Sequence, residues 1–132
     1  MRAVRLSDVL KSPPEARAEF NASPDAPHLK GDVRFHRWNR GVLIRSEFIN
    51  LPRNARYQLK IKEKETGQEE RSIRHLPRFF PDNGYSLFLF YSDQVLPEEL
   101  CGKHLLLLCT DRAEAAPEAV GRAVIESKNY QS

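Results

Sequence analysis

From Leu29 onward, apolar and polar residues alternate in short runs. Tyr57-Gln-Leu-Lys-Ile-Lys62 is the cleanest of them: Tyr57, Leu59 and Ile61 fall on one side and Gln58, Lys60 and Lys62 on the other. That is the period-two signature of a half-buried strand. Leu29–Trp38 sets Leu29, Val33 and Phe35 among polar residues, and Gly41–Leu51 sets Val42, Ile44 and Phe48 on one face before Pro52 ends the run. Tyr85–Tyr91 and His104–Cys109 are the two most apolar runs, and Gly121–Ile125 is the last. Between them, Pro81-Asp-Asn-Gly84 predicts a tight turn, because Asn and Gly tolerate positive φ. Glu63–Arg74 reads as a polar loop turning near Gly67, and Ser92–Gly102 as a connection containing Pro97. Seven or eight short strands separated by turn signals predict an all-β, antiparallel sandwich or barrel.

The first stretch is different. Met1–Leu6 reads as a short strand. Lys11–Pro27 holds four prolines among small and charged residues and reads as a loop or arm, with a short helix over Pro14–Phe20 as the alternative. The expected organisation is residues 1–27 as first strand plus arm, and residues 28–132 as the β-domain. Tyr85–Tyr91 is apolar on both faces, Leu87 and Leu89 on one and Phe88 and Phe90 on the other. One face of such a strand points outward, so Phe88 and Phe90 need a cover, expected from within the chain rather than from another molecule.

With 132 residues, 40% apolar and 30% charged, the chain is the size of one domain with its own core. No apolar run approaches the ~20 residues of a membrane span. The N-terminus lacks the continuous apolar stretch of a secretory signal, so an intracellular location is expected. Charge is unevenly spread: residues 1–80 carry 17 basic and 10 acidic groups, residues 81–132 carry 4 and 8. Basic and acidic residues are nevertheless interleaved, the mark of a solvated surface. If Cys101 precedes a strand and Cys109 ends it, eight steps of ~3.3 Å hold them ~26 Å apart, beyond the ~7 Å that a disulfide spans. Both are expected to be reduced structural thiols, as in a reducing compartment.

The order of these runs and their punctuation resembles the copper–zinc superoxide dismutase family. Leu-Lys-Gly31-Asp-Val-Arg-Phe35 is similar to that family's second strand, and Arg40-Gly-Val-Leu-Ile44 to the strand after it. Leu59-Lys-Ile-Lys-Glu63 sits where the family has Phe-His-Ile-His-Glu. Asp82-Asn-Gly84 matches a turn before a strand, Ser92-Asp93 to Gly102-Lys103 a connection, and Gly121-Arg-Ala-Val-Ile125 the C-terminal Gly-Val-Ile strand. The resemblance covers residues 28–126. It implies a Greek-key antiparallel β-barrel or sandwich of the superoxide dismutase type with shortened loops.

The same resemblance implies that the chemistry is gone. The paired histidines that bind copper are replaced by Lys60 and Lys62, and a third ligand position by Leu108. A protonated Lys has no lone pair for a metal and repels a cation. The loop that carries the remaining ligands in the family corresponds to Lys64–Arg74, with no His or Asp. His28, His36, His75 and His104 are scattered over four segments and form no pair at ligand spacing. Cys101, Cys109 and His104 form no nucleophile pair, because strand parity separates Cys109 from His104. No enzyme activity, metal or cofactor is therefore expected.

Metal-free members of the family occur in large DNA viruses, especially poxviruses, so the resemblance points to a viral protein in the host cytoplasm or virion. It further implies action through protein contact: as a homodimer, or as a decoy for host superoxide dismutase or its copper chaperone. The implied pairing surface comprises Val4 and Leu6, the segment Asn50–Asn54 with Leu51 and Arg53, and Val124 with Ile125. Phe88 and Phe90 join it if another chain covers them. Two alternatives stay open. One is a structural or scaffold role in the virion. The other is a basic nucleic-acid-binding β-domain with Trp38 and Tyr57 stacking among Arg34, Arg37, Arg40, Arg53 and Arg56, although no recognised nucleic-acid module is present and no nucleic acid or membrane partner is expected.

Overall fold

A computed structural model describes residues 6–24, 26–52, 55–62, 72–93, 97–110 and 118–127. In chain order the elements are α1 (Leu6–Lys11), β1 (Ala16–Phe20), β2 (Lys30–Trp38), β3 (Gly41–Ile49), β4 (Tyr57–Lys62), β5 (Ser72–Phe79), β6 (Ser86–Ser92), α2 (Pro97–Leu100), β7 (His104–Cys109), β8 (Glu118–Val124) and β9 (Glu126–Ser127). The strands form an antiparallel sandwich. One sheet runs β6-β3-β2-β1-β9 and the other β5-β4-β7-β8. β8 and β9 are one run interrupted at Ile125, so the chain turns a corner from the second sheet into the first. On the opposite side β5 and β6 are unpaired edges, and no barrel closes.

The alternating runs fall as their periodicity predicts. Tyr57, Leu59 and Ile61 point into the core, at 0–1% exposure, and meet Val33, Phe35, Val42, Ile44, Leu105, Leu107 and Ile125 from the other strands. Burial of this apolar surface is the main driving force for the fold. Asn83 and Gly84 both take positive φ, 51° and 79°, between the bridged residues Asp82 and Tyr85, as the turn signal requires. Asn39, with φ 54°, begins the two-residue turn between Trp38 and Gly41 that joins β2 to β3.

Three segments depart from expectation. Leu6 opens a helix rather than ending a strand, and Met1–Arg5 lie outside the described residues. Ala16–Phe20, expected within a loop or helix, is a strand paired along its whole length with β2. Its inward residues are Ala16, Ala18 and Phe20; two alanines give a weak apolar period, and prolines flank the strand on both sides without entering it. Ser72–Phe79 is also a strand, its start overlapping the polar loop expected to Arg74. Pro77 hides it in the sequence, yet β5 is an edge strand, where a missing backbone donor costs no ladder hydrogen bond. The register of β4 against β5 shifts between Gln58 and Lys60, and the Gln58 amide donates to the Leu76 carbonyl at 2.8 Å across that irregularity.

The open side is sealed by rings. Phe79 stacks on Phe48 with centroids 5.7 Å apart, lies 5.9 Å from Tyr57 and 4.8 Å from Phe88, and Phe48 in turn meets Phe20 at 5.2 Å. Gly31 leaves room for this stack: a Cβ there would sit 2.5 Å from two Phe48 ring atoms and 3.1 Å from the Phe20 Cβ. Phe48 is held by Phe20 and Phe79, so it cannot swing away. Gly31→Ala is expected to lower unfolding stability by about 1–3 kcal/mol through overpacking. Denaturant titration of both chains checks this, with a lower midpoint at unchanged slope as the expected outcome.

Candidate functional site

The outer face of the four-stranded sheet holds the positions to which the resemblance assigns metal ligands. Lys60 stands between His75 on β5 and Leu106 on β7, Lys62 stands opposite His104, and Leu108 stands opposite Gln58. Leu106 and Leu108 are buried, at 3% and 8% exposure, but neither belongs to the continuous core between the sheets. They form a separate apolar pair on the outer face, flanked by the polar side chains of Gln58 and Lys60. His75 and His104 lie two strands and two residues apart, with β4 and its lysines between them. Strand spacing puts their backbones roughly 12 Å apart, whereas imidazole nitrogens must converge to about 2.1 Å from one zinc ion. Among the described residues no three His, Cys, Asp or Glu side chains converge. Copper and zinc do not fit the donors present at these positions.

The described residues of the expected pairing surface lie apart from one another. Val4 and Arg53 lie outside the described residues. Asn50 is exposed in the turn after β3, with φ 59°, while Leu51 is buried and donates its N–H to the Gly84 carbonyl at 3.0 Å. Ile125 is fully buried at the corner between sheets, where its N–H and carbonyl bond Lys103 and Gly102. Val124, 46% exposed, pairs in register with His104. Asn50 belongs to the end of the sandwich marked by Phe48 and Gly84, and Val124 to the end marked by His104 and Ile125.

Strand β6 presents the opposite face from the one expected. Phe88 and Phe90 turn inward against the core, drawn by the Phe79 stack, and Leu87 and Leu89 stand outward at 49% and 44% exposure. Tyr85 and Ile49, at 41% and 39%, extend this apolar stripe along the edge of the five-stranded sheet. The cover for Phe88 thus comes from within the chain. Cys101 is exposed and Cys109 buried, and both are free thiols. Tyr57 is fully buried in the ring stack and offers no face to a base; Trp38 and Tyr91 form a T-shaped pair with centroids 5.5 Å apart.

Sequence reading passed over a second feature of that sheet. Its outer face carries, in register across β1, β2 and β3, a row of Arg17, Arg34 and Arg45 and a row of Glu19, Asp32 and Glu47. Asp32 accepts from both Arg17 and Arg34 at 2.8 Å, Arg17 reaches Glu19 at 2.7 Å, and Arg45 lies 3.8 Å from Glu47. Tyr85 donates to Glu47 at 2.7 Å, which raises the phenol above its ordinary range. A hollow of about 320 Å³ opens at the acid-row end, between Phe20, Lys30, Asp32 and Ile49.

At the other end α1 packs against β2. Val9 and Leu43 are buried there outside the main core, and His36 is 2% exposed with neither ring nitrogen hydrogen-bonded. Burial, then Arg34 and Arg45, push its pKa below 6.5, and Glu15 opposes them. A base with a depressed folded pKa supports the fold fully above its unfolded value and loses that support as protons bind below it. Thermal stability is therefore expected to fall as pH drops through 6.5, and His36→Leu is expected to flatten this slope. Melting curves of both chains across that range are the check; an equally steep decline in His36→Leu would assign the effect to other groups.

No protein-family model, curated protein or solved structure matches the chain.

Proposed function

We propose that this chain is a catalytically inactive, superoxide dismutase-like β-sandwich that acts through protein–protein contact. The observation that carries the reading is the outer face of the four-stranded sheet. Lys60 and Lys62 stand where the resemblance would put paired ligands and Leu108 where it would put a third, and the nearest histidines by register are separated across β4. Cationic and aliphatic side chains there stabilise no bound cation.

The connections between sheets support the dismutase resemblance. After β3 the chain leaves the first sheet, returns as β6 beside β3, and leaves again as β7 beside β4. A return of this kind to a strand already in place is what a Greek-key connection calls for, and it supports that reading. The motifs carrying the resemblance fall on β2, β3, β4, the turn before β6, and β8. The contact role is supported by the outward stripe of Leu87 and Leu89 on an edge strand, since contiguous apolar surface marks interaction sites.

The test is metal content by mass spectrometry after the full chain is loaded with copper and zinc and desalted, alongside a superoxide dismutation assay. Less than one-tenth of a metal ion per chain, roughly, and no dismutation are expected, since tight sites fill stoichiometrically. Stoichiometric copper or zinc with activity would overturn the reading. Titration against copper–zinc superoxide dismutase and its copper chaperone then separates a decoy from a self-contained assembly.

A further inference from the structure

The outer face of the five-stranded sheet has a symmetry that a monomer does not need. Ala18, Val33, Ser46 and Phe88 are paired in one row across β1, β2, β3 and β6. One residue to one side lies the row Arg17, Arg34, Arg45, Leu89. One residue to the other lies Glu19, Asp32, Glu47, Leu87. Side chains of these two flanking rows point outward together, since side-chain direction alternates along a strand. Like charges directly opposite one another on adjacent strands repel. Among the described residues that repulsion is relieved along the strands, through Arg17–Glu19, Arg34–Asp32 and Arg45–Glu47, and diagonally through Arg17–Asp32. Alternating the signs along each row would serve a lone sheet better.

We propose that this face binds a second copy of the chain, sheet on sheet, about a two-fold axis lying along the Ala18–Phe88 row. Such an axis reverses the strand direction and carries the arginine row of one copy onto the acid row of the other. Leu89 then meets the partner's Leu87, and Leu87 the partner's Leu89. A two-fold interface must be self-complementary in this way, each contact occurring twice.

Shape follows the same operation. α1 stands against β2 at the arginine-row end, and the hollow lined by Phe20, Lys30 and Ile49 lies over β2 at the acid-row end. The two-fold axis brings the raised end of each copy over the recessed end of the other. Arg45 and Glu47 flank the apolar stripe and retain 25% and 35% side-chain exposure, and Glu19 retains 58%. The stripe supplies the apolar contact and the charged rows fix its register, which is the usual division between affinity and specificity. This deepens the reading of the chain as a protein-contact module by naming its partner.

Sedimentation of the full chain, alone and as charge variants, tests the pairing. The wild-type chain is expected to sediment as a dimer that dissociates on dilution. Arg45→Glu places acids in both rows and Glu47→Arg places bases in both, so each variant alone is expected to dimerise about tenfold or more weakly. An equal mixture of the two variants restores complementary rows and is expected to return the dimer. Leu89→Lys, with thermal melting to verify its fold, is expected to abolish the dimer even if a charge variant folds poorly. A monomeric wild type at the highest soluble concentration would overturn the proposal, as would a dimer that survives Leu89→Lys with its fold intact. Neither result bears on the metal-loading measurement, and metal binding with activity would overturn the non-catalytic reading without touching the pairing.

Discussion

Register across β1, β2, β3 and β6 is the constraint on which the rest of this molecule depends. A slip of one residue in any of these strands would send its core set to solvent and its charged set inward. Local chemistry holds the register at both ends. The turn with Asn39 in positive φ joins β2 to β3, and Gly41 just after it lies so close to the Ser92 backbone that any side chain would collide. At the far end Gly31 lets Phe48 lie flat between Phe20 and Phe79. Two glycines and one asparagine therefore favour this alignment, because each fits the close approach or the turn that this register makes.

The same alignment decides what each face can do. Inward it links Phe20, Phe48, Phe79 and Phe88 in a chain of rings that runs from β1 to the side of the sandwich that has no strand pairing to close it. Ring contacts of this kind carry large buried area with defined geometry, so they replace a missing hydrogen-bonded seam by packing. Outward it collects the charges into rows and leaves Leu87 and Leu89 exposed. The Phe88 side of β6 is used up by the core, and the leucine side is what remains for solvent or a partner.

Much of the fold was legible in the sequence wherever one face of a strand is apolar and the other polar. Tyr57–Lys62 and the Asn83–Gly84 turn are of this kind, and periodicity or turn chemistry alone assigns them. β1 escaped because Ala16 and Ala18 bury little area, although Leu29, Val33 and Phe35 beside them signal plainly. β5 escaped because Pro77 argues against a strand unless the strand is known to be an edge. For β6 the ambiguity was intrinsic: Leu87 and Leu89 are as apolar as Phe88 and Phe90, and only the ring at Phe79, nine residues before Phe88, settles which pair turns inward. Among the candidate pairing residues, Leu51 and Ile125 turn out buried for a related reason. Leu51 and Ile125 are apolar because they are core, and sequence does not separate core from interface.

The charged rows show what pattern reading along one strand leaves out. Arg17, Glu19, Asp32, Arg34, Arg45 and Glu47 each look like an ordinary solvated residue, and their signs alternate along every strand. The order along β2 is acid then base, and along β1 and β3 it is base then acid. Antiparallel pairing reverses β2 relative to its neighbours, so these opposite orders become identical when the strands are laid side by side. The rows are thus encoded by an inversion between adjacent strands, visible only once both direction and register are known. A sequence selected merely for solubility gains nothing from that inversion and pays cross-strand repulsion for it. The inversion sets like beside like within one copy, and it is this arrangement that the proposed two-fold partner would convert into attraction.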